Sequence, residues 1–171
     1  MKIVCSRCLI GINCKYNGGN NDSEKLHSFI EKNHCEVITV CPEEMGGLST
    51  PRTPSEICNG KVMNRNGEDV DMQFHKGAEI AMDIVKKEKP DLVILQSRSP
   101  SCGLKEVYDG TFSGHKVKGA GVFAQMLIDN GIKAVDIEDL GFISNLVTCH
   151  KFYVSSNKLS ALLELYRNII P

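Results

Sequence analysis

The sequence predicts an α/β fold, with a mainly parallel sheet of about four or five strands covered by helices on both faces. Three observations predict it. Short, largely apolar runs recur at residues 3–4, 37–40 and 92–95, with a further strand-like run at 132–137. Longer segments with apolar residues at helical spacing separate them, and Gly, Pro, Asn and Asp gather at the junctions. Interior strands of a parallel sheet read as continuous apolar runs because helices cover both faces, and their crossover connections are right-handed in nearly all such folds. The expected architecture is a Rossmann-like three-layer fold.

Ile3-Val4 forms the first buried strand, and Asp22 or Ser23 is placed to cap a helix carrying Leu26, Phe29 and Ile30 on one face. The β-branched run Val37-Ile38-Thr39-Val40 makes a second strand that stops at Cys41-Pro42. Residues 46–66, which include Pro51 and Pro54, read as an irregular excursion. Asp71 is expected to cap a long helix through Lys89, with Phe74, Ala78, Ala81 and Val85 on one face and Pro90 marking its end. Leu92-Val93-Ile94-Leu95 is the third strand, followed by a Gly-rich loop over residues 97–121. A helix bearing Val122, Met126 and Leu127 ends at Gly131 in its left-handed cap position, and residues 132–137 supply the fourth strand. Ser155, Ser156 or Asn157 then opens an amphipathic helix carrying Leu159, Leu162, Leu163, Tyr166 and Ile169. A chain of 171 residues closes one core, so a single domain over residues 1–171 is expected, with 142–171 as a C-terminal helical extension.

A formal net charge of -1 lacks the basic footprint that gripping nucleic-acid phosphates requires, so a small-molecule ligand is expected and a nucleic-acid partner is not. Lys2 leads into a short apolar segment broken by Ser6 and Arg7, unlike a secretory leader, and no apolar run of about 18 residues follows. A cytoplasmic location without a membrane partner is therefore expected. In a reducing compartment the eight cysteines read as metal ligands or reactive thiols rather than as a disulfide framework.

Cys5 and Cys8 follow the first strand, Cys41 the second, and Cys102 the third. Ligands of an open parallel sheet bind beyond the carboxyl ends of its strands, so these cysteines are expected to meet at one edge, where separate loops can surround a soft metal centre such as an iron–sulfur cluster. Cys35, Cys58 and Cys149 read as small buried hydrophobes. Two competing readings stay open: a dithiol pair in Cys5-Ser-Arg-Cys8, and a zinc site, although zinc usually shows paired knuckles and only one C-x-x-C is present. The turn Ser97-Arg98-Ser99-Pro100-Ser101-Cys102-Gly103 puts hydroxyls, a guanidinium and a thiol beside a buried strand. Glu43 and Glu44 follow Cys41-Pro42, and a carboxylate next to a desolvated site can take and give protons near neutral pH. No G-x-G-x-x-G or Walker pattern is present.

Read together, Cys8-Leu9-Ile10-Gly11, Tyr16-Asn17-Gly18, Cys41-Pro42-Glu43, Gly46-Gly47-Leu48-Ser49-Thr50-Pro51-Arg52 and Ser99-Pro100-Ser101-Cys102-Gly103 resemble the thiouracil desulfidase family. The resemblance extends through Gly67-Glu68-Asp69-Val70, Tyr108-Asp109-Gly110-Thr111-Phe112-Ser113-Gly114 and Gly119-Ala120-Gly121-Val122. It implies a [4Fe-4S] cluster held by only three cysteines, here Cys8, Cys41 and Cys102. It also implies non-redox release of sulfide from a small thiolated base such as 2-thiouracil, with Glu43 and Ser101 as catalytic residues. Ser99 is the alternative to Ser101, Arg52 either pairs with a carboxylate or holds its loop, and Cys14 is a fourth thiolate or a spare. The chain departs from the pattern at Cys5, at Asn17 and from Phe142 onward. The alternative to catalysis is a metal-binding or sulfur-carrying module.

Overall fold

The computed structural model describes residues 1–141. In chain order its elements are β1 (Lys2–Ser6), a 3-10 turn (Arg7–Ile10), α1 (Glu24–Asn33), β2 (Glu36–Val40), α2 (Pro42–Met45), β3 (Ser55–Cys58), β4 (Lys61–Asn64), α3 (Asp71–Glu88), β5 (Leu92–Leu95), β6 (Glu106–Tyr108), β7 (Lys116–Lys118), α4 (Val122–Asp129), β8 (Ala134–Asp136) and a second 3-10 turn (Ile137–Asp139).

Four parallel strands form the central sheet in the order β2-β1-β5-β8. Ile3 stands opposite Val37 and Leu92, and Val93 opposite Ala134. Because side chains alternate along a strand, β1 and β5 serve two cores. Ile3, Cys5, Leu92 and Ile94 pack with Leu26 and Phe29 of α1 on one face. Val4, Val93 and Leu95 pack with Ala78, Ala81, Met82 and Val85 of α3 and with Phe123 and Leu127 of α4 on the other. Each large side chain buried this way contributes roughly 1.5–3 kcal/mol. The three layers are those the sequence predicts.

Ser23 rather than Asp22 caps α1, its hydroxyl accepting from the Leu26 N–H at 3.3 Å. Gly131 adopts the expected left-handed conformation after α4, with φ of 68°. Three expectations change. Residues 46–66 are not wholly irregular, because β3 and β4 pair there as an antiparallel hairpin. Asp71 is the first residue of α3 and not its cap; its carboxylate accepts from the Val62 N–H at 3.0 Å and ties the helix to that hairpin. The loop over residues 97–121 contains a second hairpin, β6 with β7. The helix expected after residue 155 lies outside the described residues. No helix among the described residues is long and apolar enough to cross a membrane.

The chain leaves β1 for β2 on one side and later returns past β1 to lay down β5 on the other. The carboxyl ends of β1 and β5 are therefore the topological switch point, where the loops diverge and leave a crevice for a ligand.

Candidate active site

Four cysteines gather at this switch point. Cys8 sits on the 3-10 turn directly after β1, Cys41 precedes α2 directly after β2, Cys102 lies in the turn beyond β5, and Cys14 comes from the loop between the first 3-10 turn and α1. All four are buried. The Cys14 thiol stands close enough to Cys8 and Cys41 for both to act on its protonation. The ligating atoms of Cys14, Cys41 and Glu44 all lie within 4.8 Å of one another. Cys102 approaches from the core on the opposite face of the sheet, near enough for the charges of Cys41, Cys14 and Glu43 to act on it. Asn21 donates its amide to the Cys8 sulfur at 3.8 Å.

Backbone contacts fix two of these positions. The one-turn helix α2, with Pro42 at its start, presses against α3 through glycine: a Cβ on Gly77 would stand 1.8 Å from the Pro42 carbonyl oxygen, and one on Gly46 would stand 1.9 Å from that of Gln73. No other residue permits this approach, which holds Cys41 and Glu43 over the sheet edge. In the turn after β5 the Ser99 hydroxyl accepts from the N–H groups of Ser101 and Cys102, both at 3.1 Å. The first N–H groups of α4, Val122 and Phe123, donate to the Pro100 and Ser101 carbonyls at 2.8 and 2.9 Å. Cys102 thus sits in a turn closed from both ends.

Beside the thiols stands a polar assembly organised by Arg52. Its Nε and Nη2 meet Glu43 Oε2 at 2.8 and 2.7 Å, a charge-assisted contact with 7% of the Arg52 side chain and 17% of the Glu43 side chain exposed. The same guanidinium donates to the Cys14 carbonyl at 2.9 Å, to the Ser49 carbonyl at 3.1 Å and to the Thr50 hydroxyl at 3.0 Å. With Oε2 held, Glu43 turns Oε1 toward the buried Ser101 hydroxyl, which donates to it at 3.4 Å. Glu44 faces elsewhere, accepting from Thr50 at 2.9 Å and from Arg7 at 3.0 Å.

The thiols are electrostatically ready for a cation. Burial pushes the Cys102 thiol up, with the Ser6 hydroxyl pulling against it. Cys41 is raised by its hydrogen bond with Cys14 and then by burial. For Cys14 the hydrogen bond to Cys41 lowers, but the one to Cys8 together with burial prevails and pushes it up to about 12. The nearby guanidiniums of Arg52 and Arg7 are paired with Glu43 and Glu44. Soft sulfur donors grouped, among the described residues, without a basic partner of their own suit a thiophilic metal centre, whose charge makes thiolates favourable. The donor set therefore fits an iron–sulfur cluster.

A family model described as 2-thiouracil desulfurase matches residues 3–139. The chain belongs to this family. The uncharacterized protein YbbK of Bacillus subtilis (strain 168) is 38% identical over 151 residues, covering 82% of this chain and 99% of that protein. The solved structure of TudS, a [4Fe-4S]-dependent thiouracil desulfidase, superposes with a TM-score of 0.77 at 31% identity, covering 86% of this chain and 98% of that one.

Within this desulfurase fold the structure brings together Cys8, Cys41, Cys102, Glu43 and Ser101, the residues singled out in the sequence. Ser99 is occupied with backbone N–H groups, so Ser101 is the hydroxyl that faces Glu43. Arg52 does both things expected of it, pairing with Glu43 and tying the loop to Cys14. Cys5 is fully buried against the α1 face, with its thiol pushed up to about 12 by burial, a poor attacking group for dithiol chemistry. Asn21 carried no signal in the sequence, whereas Cys14, expected there as a fourth thiolate or a spare, lies beside Cys41.

Proposed function

We propose that this chain holds a [4Fe-4S] cluster on Cys8, Cys41 and Cys102 and removes sulfur from a small thiolated pyrimidine, of which 2-thiouracil is the type, releasing sulfide without net electron transfer. The observation that carries this reading is the convergence of thiols from three strand ends beside the Glu43–Ser101 pair, in a member of the desulfurase family.

A [4Fe-4S] cluster held by three thiolates supplies one iron with a free position, a Lewis acid with affinity for sulfur. The reaction replaces C=S by C=O: a water oxygen bonds to the thiocarbonyl carbon, the carbon–sulfur bond breaks, and sulfur departs with the electron pair and protons as hydrogen sulfide. Glu43 supplies the proton chemistry. Arg52 fixes Oε2, so Oε1 is the oxygen that takes a proton from the attacking water. The Ser101 hydroxyl, 3.4 Å from that oxygen, orients the water or donates to the heterocycle. The two apolar cores beneath the site limit water to the side from which substrate enters.

A metal-storage or sulfur-carrying module is the second reading, and the close group of Cys14, Cys41 and Glu44 favours it. Sulfide release from 2-thiouracil by the anaerobically reconstituted protein separates the two. Catalysis predicts stoichiometric uracil and sulfide over many turnovers. Bound metal without turnover of any thiolated pyrimidine overturns it in favour of the module.

A further inference from the structure

We propose that Cys14 is a reserve ligand of the cluster: it occupies the fourth iron when no substrate sulfur is present and gives up that position when a thiocarbonyl arrives. This rests on the cluster reading above and goes beyond the three-cysteine set.

The choice of residue follows from how its loop is buried. Between the first 3-10 turn and α1 the chain leaves Ile12 and Tyr16 exposed at 43% and 45%, yet buries Cys14 to 3%. Hydrophobic burial alone would have taken the larger isoleucine inside. The loop instead turns its sulfur inward, to within 4.8 Å of the Cys41 sulfur and on the side where Cys8 acts on it. Glu44, the other donor within 4.8 Å of Cys14 and Cys41, has each of its oxygens engaged, one by Thr50 and one by Arg7. Of the two donors in that group outside the three-cysteine set, Glu44 is thus committed to a hydroxyl and a cation, whereas no contact among the described residues commits the Cys14 sulfur to either.

The backbone around it is pinned. Arg52 Nη2 donates to the Cys14 carbonyl at 2.9 Å, and the Arg52 N–H donates to the Tyr16 carbonyl at 2.8 Å. The sulfur can therefore approach or withdraw by rotation about the Cα–Cβ bond, between staggered positions, without moving the loop. Ligand exchange of this kind forms one iron–sulfur contact and breaks another, with no change in oxidation state. Its benefit is protection: a cluster whose fourth iron is covered resists loss of that iron between turnovers.

The test uses the full chain reconstituted anaerobically, as wild type, Cys14→Ser and Cys14→Ala, with Cys35→Ser as a control thiol. Iron and sulfide are counted, iron loss to ferricyanide is followed by electron paramagnetic resonance of the three-iron product, and wild type is examined by Mössbauer spectroscopy with and without 2-thiouracil. We expect about four irons in every protein, with iron lost at least about tenfold faster from both Cys14 variants than from wild type and Cys35→Ser. In resting wild type all irons should show sulfur surroundings, and 2-thiouracil should perturb one of them. Equal rates of iron loss, or a resting wild-type spectrum that already contains one iron with oxygen or nitrogen coordination, overturn the role of Cys14 while leaving the cluster reading intact. A wild type that assembles no cluster overturns both. The wild-type spectrum decides the matter even where a variant fails to fold.

Discussion

At the scale of single residues, the central division of labour is between thiols that bind and a carboxylate that moves protons. Glu43→Gln keeps the shape and the contact with Ser101 but removes the base. Turnover of 2-thiouracil is expected to fall about a hundredfold or more while the iron content stays at the wild-type level, which paired activity and iron assays check. Arg52→Ala leaves a largely buried carboxylate without its cation. That change is expected to lower the unfolding free energy by about 3–5 kcal/mol in a denaturant titration. Arg52→Lys should fold well but lose most turnover, since a single ammonium cannot serve Glu43, the Cys14 carbonyl and Ser49 together. Much of this was legible in the sequence. Cysteines just past apolar runs had to reach one edge of a parallel sheet, and Glu43 followed one of them. Which serine faces the carboxylate was not legible, because that depends on the Ser99 hydroxyl closing the turn onto two N–H groups.

At the scale of elements, α2 and the turn before α4 carry the precision of the site. Gly77→Ala forces a methyl into the Pro42 carbonyl and must push α2 away from α3. We expect a loss of roughly 1–3 kcal/mol in stability, together with weakened iron retention because Cys41 moves with the helix. Thermal melts and iron counts on the same sample check both. At the end of β8, burial raises the Asp136 carboxyl above the ordinary carboxylate range, opposed by its hydrogen bonds with the Ser97 hydroxyl and the Glu138 N–H. A raised folded pKa means that the stability from this group is complete below the unfolded value and is lost as pH rises through the folded one. Asp136→Asn should therefore show a smaller fall in Tm between about pH 4 and pH 7 than wild type. The strands at residues 37–40 and 92–95 announced themselves because both faces are covered. The two hairpins did not, because their strands are three or four residues long and partly polar. Long-range contacts secure them, such as the Glu56 carboxylate accepting from the Gly110 and Phe112 N–H groups at 3.0 Å, and no local pattern reveals these.

At the scale of the whole molecule, the strand order β2-β1-β5-β8 explains why residues so far apart in sequence form one site. The segments that follow β1, β2 and β5 deliver Cys8, Cys41 and Cys102 to one edge of the sheet, with Cys14 among them. The most direct test is iron and acid-labile sulfide analysis, with a visible spectrum, on wild type and Cys102→Ser reconstituted under anaerobic reducing conditions. About four irons and four sulfides in wild type, lost together with the colour in the variant, is the result expected of a cluster built on the three strand ends. Wild-type protein that takes up no iron and sulfide under those conditions, or a Cys102→Ser variant that holds them equally well, would contradict it.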